Sequence, residues 1–314
     1  MPPQKYLEKL QNPRKNRKKI SLKKKDNRVQ AEIRALLREG VLLLSNAGIS
    51  DSLFESELLL AHVLGISRCC IYLSPRTLTP EHKRFFFSLI QRRRRRIPLA
   101  YLLRRVWFWK DSLGVGPGVL VPRSESEILI ETSCEWCDST QKSMILELCT
   151  GSGCLAIALG REFPSSTIYA TDISLIAVQI ASTNILESGL TNRIIVLQED
   201  LFPSFRFRYD LILANPPYLS GKELSSADPE LLYEPRQALY GGEDGLFFYR
   251  KILRSAPDFL QRGGFLIVEI PEWGAIPVAS LAEEPLRLCE VRKDLAGKDR
   301  VLVFKKIPED IEYC

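Results

Sequence analysis

Two histidines, His62 and His82, are all the imidazole in a chain of 314 residues. That scarcity leaves little material for a serine-histidine-aspartate relay or a histidine-rich metal site, because imidazole is the usual base near neutral pH and the commonest metal ligand. Packing or surface roles suit both better than chemistry. No apolar run approaches the ~18 residues that a membrane-spanning helix needs, so the sequence predicts no span. A disulfide framework is missing as well. The eight cysteines include the adjacent pair Cys69-Cys70, the nearby Cys149 and Cys154, and the last residue, Cys314. Cys134-x-x-Cys137 has redox or zinc spacing, but no second pair of that spacing accompanies it. Reduced, packed thiols and the lack of an apolar leader segment predict a cytoplasmic protein.

The residues Asn215-Pro216-Pro217-Tyr218 directly follow the apolar run Leu211-Ile212-Leu213-Ala214. A buried strand ending this way makes a rigid turn whose prolines fix φ and lack N–H donors, which leaves carbonyl acceptors for a ligand. The Asn215 amide adds an acceptor and a donor. An –NH2 group, on a carboxamide or on a nucleic-acid base, can give both hydrogens to such acceptors while Tyr218 packs on the flat group. The pattern points to methyl transfer onto a planar nitrogen.

A nucleotide-type site lies upstream. Met144-Ile145-Leu146-Glu147-Leu148 reads as a buried strand, Cys149-Thr150-Gly151-Ser152-Gly153 as a tight loop, and Cys154 to Leu159 as the opening of an apolar helix. Glycines let a ligand approach the backbone, and the helix start offers unpaired N–H groups. The run from Thr167 to Thr171 ends in Asp172, nineteen residues past Gly153 and placed to accept from ribose hydroxyls. Gly151-x-Gly153-x-x-Ala156 also satisfies the dinucleotide pattern, so the loop alone is ambiguous. Two features separate the readings. A third strand, Ile194 to Leu197, runs into Glu199-Asp200-Leu201, where an acid can hold an adenine amine, and a fourth ends in the tetrad. Four strand ends then converge on one crevice.

With those residues in place, the chain resembles the class I S-adenosylmethionine-dependent methyltransferases, and among them the HemK/PrmC type that methylates a glutamine of peptide-chain release factors. Further family-like segments are Glu57 to Gly65, Pro98 to Tyr101, Gly116 to Arg123, Tyr233-Glu234-Pro235-Arg236, Gly241 to Gly245 and Lys293 to Arg300. Together they cover about residues 29–306. The resemblance implies an α/β fold: a Rossmann-like class I methyltransferase sheet with a small N-terminal helical-bundle domain joined by a β-hairpin linker. It implies that S-adenosylmethionine is the cofactor and that no metal is needed. Cys149, Thr150, Gly151, Ser152 and Gly153 would wrap the cofactor's methionine and ribose, Asp172 would hold the ribose, and Asp200 with Leu201 would flank the adenine. Asn215, Pro216, Pro217 and Tyr218 would hold the substrate amide and carry the catalysis, with Asn215 also at the cofactor. The chain departs from the family at Cys149, where Gly is usual, and at Glu147, where Asp is commoner. It departs too at Leu201, where an aromatic can stack on adenine, and at Ser124-Glu125-Ser126-Glu127, where Pro-Asp/Glu-Thr-Glu is usual.

Lys and Arg number 44 against 38 Asp and Glu, a net charge of +6. Residues 1–28 hold eleven Lys or Arg against Glu8 and Asp26, and with Pro2, Pro3 and Pro13 opposing a helix they read as a basic disordered tail. That tail is either a solvated extension or an arm in weak contact with RNA or the ribosome. Residues 29–97 read as a small helical bundle, which the resemblance implies to be a substrate-docking domain, and end in the run Arg92 to Arg96. The run is a solvated helix face or a docking surface for phosphates or an acidic partner. Residues 98–122, with Trp107-Phe108-Trp109 and Gly114-Val115-Gly116, read as the β-hairpin linker, 123–306 as the methyltransferase domain and 307–314 as a C-terminal tail.

The leading expectation is a monomeric, cytoplasmic enzyme that methylates N5 of the glutamine in the Gly-Gly-Gln loop of class 1 release factors, away from membranes. The alternative is an N-methyltransferase for exocyclic amines of DNA or RNA bases, whose –NH2 suits the same acceptors. A non-enzymatic module that merely keeps the fold would show a broken loop or tetrad, and both are intact.

Overall fold

The computed structural model describes residues 13–73 and 77–307. The chain forms two compact units, Met1–Leu103 and Arg104–Cys314.

The first unit contains α1 (Pro13–Ser45), α2 (Ser52–Leu64), α3 (Cys70–Leu73), α4 (Pro80–Arg94) and α5 (Leu99–Leu103). Apolar residues three and four apart give each long helix one buried stripe: Ile33, Leu36 and Leu37 on α1, and Phe86, Leu89 and Ile90 on α4. They meet Leu59, Leu60 and Leu64 of α2. Gly65 ends α2 in the left-handed conformation, at φ 60°. The two histidines serve this scaffold: His82 completes a capping box with Thr79 at the start of α4, and His62 packs its ring near Phe85. Residues 13–28 lie in α1 rather than in a disordered tail. Pro13 sits in the first turn, where a missing N–H costs nothing, and Lys and Arg are good helix formers. Residues 1–12 lie outside the described residues. The arginine run is divided in its roles. Arg93 is buried and its Nε donates to Glu55 Oε2 at 2.6 Å, whereas Arg92, Arg94 and Arg95 are exposed.

The boundary between the units falls after Leu103, later than the expected residue 97. Pro98 starts one more helical turn, α5, which buries Tyr101 and Leu102. The second unit opens with a hairpin of β1 (Arg105–Phe108) and β2 (Asp111–Gly114). In chain order there follow a 3-10 turn (Ser124–Ser126), α6 (Glu127–Trp136), β3 (Met144–Leu148), α7 (Cys154–Glu162), β4 (Thr167–Asp172), α8 (Leu175–Glu187), β5 (Ile194–Gln198) and β6 (Tyr209–Ala214). The unit closes with α9 (Gly221–Ser225), α10 (Phe247–Phe259), β7 (Leu260–Glu269), α11 (Ala275–Ala279), β8 (Leu286–Lys293) and β9 (Asp299–Lys306). The seven long strands form one mixed sheet, in the order β5-β4-β3-β6-β7-β9-β8; the first five are mutually parallel, and β9 runs antiparallel to both its neighbours, β7 and β8.

The inner strands are continuous apolar runs because both faces of the sheet are covered. One face packs Ile145, Leu211 and Leu213 with Leu155, Leu159 and Leu129. The other packs Leu146, Ile212 and Leu266 with Tyr249, Ile252 and Leu253 of α10. From β3 the chain proceeds outward through β4 and β5, then returns to place β6 on β3's other side. A crevice opens at the carboxyl ends of strands where the order reverses like this, and that is where the loop and the tetrad lie. Among the described residues no helix is long and apolar enough to cross a membrane.

Candidate active site

The loop after β3 is held from below and from the side. Thr150 Oγ1 donates to Glu147 Oε2 at 2.6 Å, and Thr150 N donates to the Thr171 carbonyl at 2.9 Å. Gly151 N and Ser174 N each donate to the Asp172 carboxylate at 2.9 Å, so this side chain ties the loop to the start of α8 while keeping lone pairs for a ligand. Burial raises the pKa of Asp172, and those two backbone donors oppose the rise. Glu147 is fully buried and its carboxyl is pushed up to about 8, chiefly by desolvation and against the Thr150 hydrogen bond. Cys149 adopts φ 61°, the left-handed conformation that explains why glycine is usual at this place. Leu201 does the same at φ 64°.

A cleft of about 700 Å³, its open mouth included, lies over these strand ends. Cys149, Gly151, Asp172, Asp200, Leu201, Asn215 and Pro217 all face it, together with Ile173, Gln237 and Phe248. A smaller recess of about 390 Å³ is lined by Thr150, Ser152, Cys154, Ser126 and Arg123, and shares Cys149, Gly151 and Asn215 with the cleft. A Cβ added at Gly151 would meet nothing within 4 Å, so the backbone leaves room there for a ligand. Carboxylates at one wall and apolar side chains of Ile173, Leu201 and Phe248 around it suit a ribose and a flat base. The residues therefore fit S-adenosylmethionine. Asp200 also pairs with Lys251 at 3.1 Å. Gly153 lines neither space. A Cβ there would lie 3.1 Å from Ala181 Cβ, and its bare backbone lets α7 pack against α8. Pro216 and Tyr218 also line neither space; Pro216 is buried, and Tyr218 packs on the core cluster around α10.

The tetrad's backbone is enclosed by the glycine segment that follows it. Side chains at Gly241 or Gly245 would collide with Tyr218, since their Cβ atoms would come within 2.6 Å of Tyr218 Cα and 2.4 Å of the Tyr218 carbonyl. Asn215 Nδ2 donates to Ser126 Oγ at 3.0 Å. Beside it lies Glu269, the last residue of β7, buried and pushed up to about 7 by desolvation, with the Ser126 hydroxyl, the charge of Arg300 and the Asn215 amide pulling the other way. Glu234 is buried too; it accepts from Val121 N at 2.9 Å and pairs with Arg123, fastening residues 121–123 beside the smaller recess. Asn184 joins the hairpin to the loop after β3: its Oδ1 accepts from Gly114 N at 2.7 Å and its Nδ2 donates to the Ser152 carbonyl at 2.8 Å. The sequence pattern did not single out Glu269, Phe248 or Asn184, and it marked Ser126 only within the departure at residues 124–127. A carboxylate closing the apolar run Leu266-Ile267-Val268 was the one available signal, for Glu269.

Residues 35–103 match the PrmC N-terminal domain and residues 124–247 match the methyltransferase small domain. A release factor glutamine methyltransferase of Thermodesulfovibrio yellowstonii is 39% identical over 262 residues, 82% of this chain and 94% of that protein. One of Clostridium botulinum is 34% identical over 280 residues, 87% of this chain and 99% of that protein. Among solved structures, the hMettl16 catalytic domain superposes with a TM-score of 0.50 at 13% identity, over 63% of this chain and 76% of that one, a likeness of fold alone. A loop and a tetrad brought to one crevice, matched along nearly the whole length of such relatives, have one explanation: the chain belongs to the release factor glutamine methyltransferase family.

Proposed function

We propose that this protein methylates N5 of the glutamine in the Gly-Gly-Gln loop of class 1 peptide-chain release factors. The observation that carries this reading is the setting of Asn215 at the edge of the cleft: its NH2 end donates inward to Ser126, so Oδ1 is left as an acceptor for an incoming carboxamide. When bound, S-adenosylmethionine supplies an electrophilic methyl group. Asn215 Oδ1 takes one hydrogen of the glutamine –NH2; the Pro216 carbonyl, although that residue is buried and lines neither space, is the acceptor the tetrad offers for the other, and the two fix its plane. An amide nitrogen is a weak nucleophile because its lone pair is delocalised, so the rate rests on orientation and on stabilising the positive charge that develops. The same acceptors do both. No side chain has to remove a proton first, since the N–H becomes strongly acidic only as the new N–C bond forms. Burial pushes the Tyr218 hydroxyl up to about 12, so it stays neutral beside the site. The helical unit is the docking part, and its exposed Arg92, Arg94 and Arg95 suit an acidic or phosphate-bearing surface.

The test is transfer of labelled methyl to a purified release factor, to its loop Gln→Ala variant and to bulk RNA, side by side. Label on the intact factor and not on the variant is expected; label on RNA alone overturns the reading. Asn215→Ala should bind S-adenosylmethionine normally by calorimetry while losing about 10²-fold in kcat, the scale of one preorganised polar group.

A further inference from the structure

Asn215 works only if its amide faces the right way. The carbonyl and amino ends of an asparagine are nearly the same size, and their neighbours decide which end turns inward. Here the inward neighbours are Ser126 Oγ, which accepts from Nδ2 at 3.0 Å, and the carboxylate of Glu269. Ser126 alone does not choose, because a hydroxyl both donates and accepts. An ionised carboxylate only accepts. Glu269 sits on the strand beside β6, is 3% exposed, and has Oε2 buried without a hydrogen-bond partner among the described residues.

We propose that Glu269 is a positioning residue: its ionised carboxylate, acting with the Ser126 hydroxyl, holds the NH2 end of Asn215 inward and so presents Oδ1 to the substrate amide. The inference rests on the methyl-acceptor reading of Asn215 given above. Once Glu269 takes a proton it can donate, and an inverted Asn215 becomes equally well satisfied. The substrate –NH2 would then meet another –NH2.

The groups facing Glu269 come from several elements. Arg300 on β9 favours the carboxylate, although it is also paired with Asp294 at 3.0 Å; Glu125 of the 3-10 turn opposes it. Tyr218 lies near, and the Tyr249 hydroxyl donates to the Glu269 backbone carbonyl at 2.9 Å. Burial raises both tyrosines far above neutral pH, so neither titrates with Glu269. A carboxyl pushed up to about 7 gives kcat an acidic limb with its midpoint there, activity rising as pH rises.

The experiment measures kcat, KM and the S-adenosylmethionine dissociation constant from about pH 5.5 to about pH 9 for wild type, Glu269→Gln, Ser126→Ala and Ser126→Thr. It also follows the Asn215 side-chain amide by NMR without substrate. Glu269→Gln is expected to lower kcat about tenfold, to flatten the acidic limb and to leave cofactor binding unchanged, as the loss of an orienting partner does elsewhere. Ser126→Thr should restore rate lost in Ser126→Ala. In wild type the Asn215 amide signals should shift with a midpoint near the kinetic one. Wild-type kcat with an intact acidic limb in Glu269→Gln overturns the proposal. If that variant fails to fold, wild-type Asn215 signals that do not titrate near neutral pH overturn it instead. An Asn215 titration in a protein that transfers no methyl to release factor would sink the substrate reading and leave the orientation device standing.

Discussion

Replacing Glu147 by Gln should make the second unit more stable at alkaline pH, although it removes an acid from beneath the loop after β3. In the folded chain burial pushes this carboxyl up to about 8, from an ordinary 4.5. Folded protein therefore keeps a proton that unfolded protein gives up, and stability is full below about pH 4.5 and declines as pH rises through about 8. That window spans between three and four pH units at ~1.4 kcal/mol each, a ceiling of roughly 5 kcal/mol, which entry of water or a shift of the loop would reduce. Gln keeps the shape and an oxygen to accept from Thr150 Oγ1, but never ionises. The variant and wild type should be nearly equal at about pH 5, and the variant should lead by about 2 kcal/mol or more at about pH 8.5. All four tryptophans, Trp107, Trp109, Trp136 and Trp273, belong to this unit, so their fluorescence during urea unfolding reports on it alone. Glu269 titrates in the same window in both proteins and cancels in the difference. Parallel stability curves across the pH range would refute the reasoning.

Two further outcomes follow from the loop geometry. Cys149→Gly should be more stable than Cys149→Ala by about 1 kcal/mol, since both lose the sulfur and only glycine escapes the strain of φ 61°; equal urea midpoints would show that the turn is not strained. Asp172→Ala should raise the S-adenosylmethionine dissociation constant about tenfold or more, the worth of hydrogen bonds to a charged group, and an unchanged value by calorimetry would remove its ribose role.

The parallel strands were legible because each is a continuous apolar run closed by a turn signal. β3 occupies the residues read for it, and β4 ends on Asp172 as expected. What escaped depends on contacts far apart in sequence. Ser126 and Asn215 are 89 positions apart, and only the pairing of β7 with β6 places Glu269 near them. Arg93 is a different case. It follows Phe86, Leu89 and Ile90 in helical phase, so the period of α4 puts it on the apolar face, yet four neighbouring arginines mask the signal. Pro2, Pro3 and Pro13 read as helix breakers and so hide the helix formed by residues 13–28, although at the start of a helix Pro13 breaks nothing. Glu147 looked like a minor departure from family habit. Its burial beneath the loop, which sequence does not display, makes it a pH-dependent part of the fold.

The order of the sheet has a bearing on how the molecule is made. β9, the last strand among the described residues, lies between β7 and β8, and it carries Arg300, the cation that faces Glu269. A ribosome delivers the chain from its N-terminus, so a nascent form that has passed residue 269 but not reached 299 holds the loop and the tetrad but presents β7 with an open flank. Its buried carboxylate also has no counter-charge. Competence is thus tied to the synthesis of residues 299–306, and a chain cut short before them would keep the sequence motifs while losing the arrangement that makes them act together.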